Sequence, residues 1–180
     1  MSVKPDPFRG TPKKIKLKIM LRNCLLCLLY IFSACSFNRN TQDKGAAYLQ
    51  GEWKETNVPF AADLVEFKQR DFKFTCDSFY VVLNNFSKAN FAQDTCYKTG
   101  KWKEYAKGTY ILNGDTLHLK GAYASKSFKL KTSPCYTTGV FDETLLLQSQ
   151  RDSQLVFKSF TSGQIVLKLQ KLLVCNSQSL

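Results

Sequence analysis

The chain has 180 residues and carries 26 Lys and Arg against 14 Asp and Glu, a formal charge of +12. That length gives room for one ordinary domain. Residues 1–34 hold seven of the basic and one of the acidic side chains. This leaves 19 and 13, or +6, for the remainder. An excess of that size suits solubility or a nearby anionic membrane surface, and it requires no nucleic acid.

The first segment in chain order is basic, with Lys13, Lys14, Lys16, Lys18 and Arg22. Nine apolar residues follow, from Cys24 to Phe32. A membrane-spanning helix takes about 20, so this run is too short for a permanent span. A charged region, a short apolar run and the small residues Ser33 and Ala34 at its end read as an export signal. Ile31-Phe32-Ser33-Ala34-Cys35 resembles the lipobox of bacterial lipoproteins. That resemblance implies cleavage before Cys35, a lipid on its thiol, and attachment to a membrane of the bacterial cell envelope. No acidic run follows Cys35 as an address for surface display, so the periplasm-facing leaflet is expected. Residues 1–34 are then a signal peptide, with translation expected to start at Met20, which would give a more compact signal. Residues 35–47 are a polar, lipidated tether, and residues 48–180 are the folded domain.

The seven cysteines divide accordingly. Cys24 and Cys27 leave with the signal, and Cys35 takes the lipid. Cys76, Cys96, Cys135 and Cys175 remain, an even number in a disulfide-permissive compartment. Three connectivities are open. Cys76–Cys96 with Cys135–Cys175 is favoured, because the first pair is close in sequence and flanks what reads as one hairpin. With no CxxC after Cys35 and one histidine in the chain, neither a metal nor a cofactor is expected.

From Tyr48 onward the pattern is strand after strand. Leu49 to Thr56, Leu64 to Phe67, Phe72 to Thr75, Phe79 to Phe86 and Trp102 to Leu112 come first. Thr116 to Lys120, Ser127 to Lys131, Val140 to Gln148, Leu155 to Phe160 and Ile165 to Leu173 complete the set. Asn113-Gly114 is the strongest hairpin signal and matches a type I′ turn. Further turns are expected at Gln150 to Ser153 and at Thr161-Ser162-Gly163. No stretch of ten or more residues after Cys35 has helical periodicity. The expected fold is all-β: a small antiparallel barrel of about eight to ten strands, with a β-sandwich as the alternative.

Leu49-Gln50-Gly51-Glu52-Trp53 resembles the opening Gly-x-Trp motif of lipocalin-like proteins. Gly108-Thr109-Tyr110 followed by Gly114-Asp115-Thr116-Leu117 is similar to the middle hairpin of small lipocalin-like domains in bacterial lipoproteins. The resemblance spans residues 48 to about 175. It implies that Gly51 lets the backbone pass closely at the barrel floor and that Trp53 plugs the closed end. Arg151 and Lys171 are the candidates for the family's arginine on the tryptophan face.

An eight-stranded barrel either fills its interior with side chains or holds one small ligand. Trp53, Phe72, Phe74, Tyr80, Tyr110, Leu117 and Leu119, together with Val82, are the candidate lining of such a cavity; the bland reading makes them core. His118 alternates with Leu117 and Leu119 and is expected on the surface. Asp142 and Glu143 are adjacent, so on a strand they point to opposite faces and form no carboxylate pair. No nucleophile motif, zinc-protease motif or phosphate loop is present, so no catalytic residue is assigned and a hydratase-type activity has no basis. Lys98, Lys101, Lys103 and Lys107 interleave with Tyr97, Trp102 and Tyr105 as a solvated strand face, or as a contact for an anionic lipid or glycan. The expected function is non-catalytic binding of a small apolar ligand at the envelope by a monomer. The alternative is an interaction module that docks another envelope protein through an outer barrel face.

Overall fold

The computed structural model describes residues 42–56, 58, 61–88, 100–132 and 135–177, together with Asn23. A short 3-10 helix, Ala47–Leu49, leads into eight strands. These are β1 Gly51–Glu55, β2 Glu66–Thr75, β3 Ser78–Ser87, β4 Lys101–Asn113, β5 Thr116–Ala124, β6 Val140–Arg151, β7 Gln154–Ser159 and β8 Gly163–Leu172. Every strand pairs with its sequence neighbour, and β1 also pairs antiparallel with β8, so the sheet closes into a barrel. Closure leaves no free sheet edge, which excludes the sandwich.

Period-2 alternation decides which side chains enter the core. On β3, Phe79, Val81 and Leu83 are buried while Tyr80 and Val82 face outward. On β7, Leu155, Phe157 and Ser159 are buried, and on β8 Ile165 and Leu167. They join Leu49, Trp53, Phe72 and Phe74 in one apolar cluster.

Three sequence expectations change. Leu64 to Phe67 and Phe72 to Thr75 are not two strands; Gln69, Arg70 and Asp71 continue the pairing with Asn84, Leu83 and Val82, and β2 runs unbroken. Ser127 to Lys131 is not a strand. It contributes one isolated bridge, Leu130 to Ala124, and Phe128 takes a positive φ of 56° that a strand cannot contain. The β4–β5 hairpin closes on Asn113 opposite Thr116, so its loop is Gly114-Asp115 rather than Asn113-Gly114. Of those two residues Gly114 alone has positive φ, which fits type II′ and not type I′. The register is set further along the ladder, where Gly108 stands opposite Gly121. A Cβ on Gly108 would lie 2.1 Å from the Lys120 carbonyl oxygen, so the strands meet there only through glycine.

The floor of the barrel is closed by the segment preceding β1. The Trp53 indole donates from Nε1 to the Leu49 carbonyl at 2.8 Å. The buried Gln50 amide donates to the Cys76 carbonyl and accepts from the Cys76 N–H, at 2.9 and 2.6 Å. Tyr110 Oη donates to the same carbonyl at 2.7 Å and accepts from the Ala46 N–H at 3.0 Å. Burial pushes the Tyr110 phenol above its ordinary pKa, which keeps it a donor. Gly51 has the close approach that the resemblance implies, since a Cβ there would lie 2.8 Å from the Lys171 carbonyl oxygen.

Gly45 has φ +65°, and a Cβ on it would lie 2.0 Å from the Cys76 carbonyl oxygen and 2.3 Å from Tyr110 Oη. Gly45→Ala is therefore expected to lift this segment off the floor and to cost roughly 1–3 kcal/mol. Thermal unfolding of the variant, with loss of amide protection at Ala46 and Cys76, is the check.

The disulfide is Cys76–Cys175, with Cα atoms 4.9 Å apart across 99 residues of sequence. The favoured pairing of Cys76 with Cys96 and of Cys135 with Cys175 is overturned. Cys76 sits in the β2–β3 turn on the floor, and the chain leaving β8 returns to that same end. Closeness in sequence was the wrong guide, because barrel closure brings the last strand beside the first. Cys135 is also disulfide-bonded; Cys96 lies outside the described residues.

Candidate functional site

Six of the eight residues expected to line a cavity point inward. Trp53, Phe72, Phe74, Tyr110, Leu117 and Leu119 are between 0 and 5% exposed. They pack on one another: Phe72 stacks on Phe74 with ring centroids 5.4 Å apart, and Phe74 meets Tyr110 edge-on, also at 5.4 Å. Tyr80 and Val82 do not join them. They lie on the outer face of β3, one residue out of phase with Phe79, Val81 and Leu83.

The interior also holds charges. Arg70 on β2 is 1% exposed, Glu55 on β1 is 2% and Glu143 on β6 is 13%. Arg70 donates from Nη2 to Glu143 Oε1 at 2.8 Å and to Ser162 Oγ at 2.7 Å. Its Nη1 lies 3.4 Å from Glu55 Oε2, which also accepts from the Arg70 backbone N–H at 2.8 Å. Two carboxylates thus share one guanidinium. Burial pushes the Glu55 carboxyl above its ordinary pKa and Glu143 adds to that, against the opposing pull of Arg70.

This cluster was missed in the sequence, although a signal was there: Arg70 is in phase with Phe72 and Phe74. Asp142 and Glu143 do point to opposite faces, as expected, and Glu143 finds its carboxylate neighbour on β1 instead. Arg151 and Lys171, the candidates from the resemblance, are both exposed; among the described residues the buried arginine is Arg70.

On the outside of β1, β2 and β3 lies a groove of about 290 Å³. Tyr80, Val82 and Phe128 form its apolar walls. Glu52 and Asp71 on its rim are matched in charge by Lys54 and Lys73. Phe128 comes from the β5–β6 connection. Its ring meets Tyr80 edge-on at 5.2 Å and Tyr105 edge-on at 5.7 Å, which fixes the far wall. Lys73 Nζ stands 6.0 Å from the Tyr80 ring centroid. Asp71 Oδ2 accepts from Asn84 at 3.0 Å, whereas its enclosed Oδ1 has no donor.

The basic strand face forms on β4 without Trp102, which alternates onto the face of Glu104 and Ala106. Lys101, Lys103 and Lys107 are exposed, and Tyr105 is half-buried between them under Phe128. Tyr97 and Lys98 lie outside the described residues. His118 is exposed as expected, with Nδ1 3.2 Å from Thr144 Oγ1. The chain matches no protein-family model and no curated protein in sequence.

Proposed function

We propose that this protein is a lipid-anchored, non-catalytic binding protein of the bacterial cell envelope, lipocalin-like in its barrel, that holds a small apolar ligand in the groove on its outer face. The observation that carries the reading is the groove itself. Its volume, about 290 Å³, is at the low end for small-molecule sites. Two aromatic rings and a valine wall it, and the rim charges cancel, which suits an uncharged occupant. The side chains expected to line an interior cavity are instead packed on one another. Anchoring through Cys35 rests on the lipobox resemblance, and the Cys76–Cys175 bridge is consistent with export to an oxidising compartment.

Titration of the mature protein with the uncharged fluorophore N-phenylnaphthylamine tests the site. Saturable binding is expected. Tyr80→Ala should weaken it about tenfold or more, and Val82→Asp should abolish it. Leu117→Met, a volume-conserving change inside the barrel, should leave it intact. Binding that survives both outer substitutions and changes with Leu117 would move the site inside the barrel and overturn this reading.

A further inference from the structure

A second concavity, of about 240 Å³, lies beside the groove, between β4 and the β5–β6 connection. Lys103, Lys126 and Lys131 all line it, with the hydroxyl-bearing Ser125 and Thr132 between them. The acidic side chain among its lining residues is Glu104, and both of its oxygens are engaged. Oε1 accepts from the Thr137 N–H at 2.6 Å and Oε2 from Asn85 at 3.3 Å. Three lysines therefore line the concavity against one carboxylate whose oxygens are already engaged.

The connection is built rather than loose. Phe128 N–H donates to the Ser125 carbonyl at 2.8 Å, and Ser125 N–H to the Lys129 carbonyl at 3.0 Å. Lys131 Nζ donates to the Thr137 carbonyl at 2.6 Å and stands 5.5 Å from the Tyr136 ring centroid, so its charge has a fixed place. Phe128 and Tyr136 take φ values of +56° and +70°. A bulky residue in that region costs on the order of 1–3 kcal/mol, and such strain gathers at ligand clamps. Here it falls twice in the segment that carries Lys126 and Lys131.

We propose that this pocket binds a phosphate group, its oxygens accepting from Lys103, Lys126, Lys131 and the Thr132 hydroxyl. Either a phospholipid headgroup of the adjoining membrane or a soluble phosphorylated small molecule supplies that chemistry. The site does not depend on the apolar groove; the Phe128–Tyr105 contact separates the two.

The test uses the mature protein with glycerol phosphate, followed by amide NMR. In parallel, flotation of the mature sequence carrying Cys35→Ser, which has no lipid anchor of its own, is measured with phosphatidylcholine vesicles with and without phosphatidylglycerol. With glycerol phosphate, shifts are expected at Ser125, Lys126, Thr132 and Tyr136. Lys103→Gln, Lys126→Gln and Lys131→Gln should each weaken binding roughly fivefold, the Coulomb contribution of one charge near water, and the triple variant should abolish it. Lys73→Gln, an equal loss of charge in the groove, should change nothing, and neither should Tyr80→Ala. Binding of glycerol phosphate without phosphatidylglycerol-dependent flotation assigns the pocket to a soluble small molecule. Flotation confined to phosphatidylglycerol vesicles and lost in the triple variant assigns it to a headgroup. Binding of neither probe, or an equal loss with Lys73→Gln and Lys131→Gln, overturns the proposal.

Discussion

Arg70→Met is expected to destabilise the barrel by about 3–5 kcal/mol at neutral pH, the cost of leaving a buried ionic partner uncompensated. The guanidinium is the shared counter-charge for Glu55 and Glu143, and it is 1% exposed. Without it two carboxylates face each other away from water. The sign of the pH dependence follows from Glu55. Its folded pKa is already raised above 4.5, first by burial and then by Glu143. Below 4.5 the group is protonated in both folded and unfolded states and contributes no penalty. As pH rises through the folded pKa the penalty appears in full. In Arg70→Met the opposing pull is gone, so the deficit relative to wild type should be largest at neutrality and should shrink in acid. Urea unfolding on both sides of that window is the measurement. Adding Glu55→Gln and Glu143→Gln to Arg70→Met should recover most of the loss. A deficit independent of pH would mean that the side chain acts through packing alone.

Removal of the Cys76–Cys175 bridge is the second large effect. It closes a loop of 99 residues, for which chain-entropy reasoning gives about 4–5 kcal/mol. Cys175→Ser and Cys76→Ala should each incur this cost, and the double variant should cost little more than either, since one bond is lost in every case. Cys76 also sits at φ +54°, where glycine is favoured by roughly 1 kcal/mol or more. Cys76→Gly with Cys175→Ser should therefore be measurably more stable than Cys76→Ala with Cys175→Ser. Additive single-variant losses would show that the cysteines contribute separately from their bond.

The alternation of Phe72 with Phe74 and of Leu117 with Leu119 made the all-β barrel legible, because period 2 is a local property of the chain. The length of β2 was not, since Gln69-Arg70-Asp71 looks like a turn until β3 is set beside it. Arg70 was hidden by the same break: a buried arginine is rare, and its partners lie 15 and 73 residues away. The disulfide failed for a related reason, because closure of β8 onto β1 is a global property that spacing does not encode. Tyr80 and Val82 were assigned to the interior with the wrong phase on β3, since Phe79, Val81 and Leu83 take the inward positions; the outer groove they form also needs Phe128. That residue left the expected strand pattern by taking a left-handed backbone conformation and reached back across β4 to β3.

Native mass spectrometry of the protein, extracted gently from its own host, tests the central claim most directly. An envelope-anchored binder predicts a chain beginning at Cys35 with a lipid on that residue, two formed disulfides, and a small uncharged molecule that Val82→Asp removes. A chain that keeps residues 1–34 with a free thiol at Cys35, or a bound molecule that persists unchanged in Val82→Asp, would contradict it.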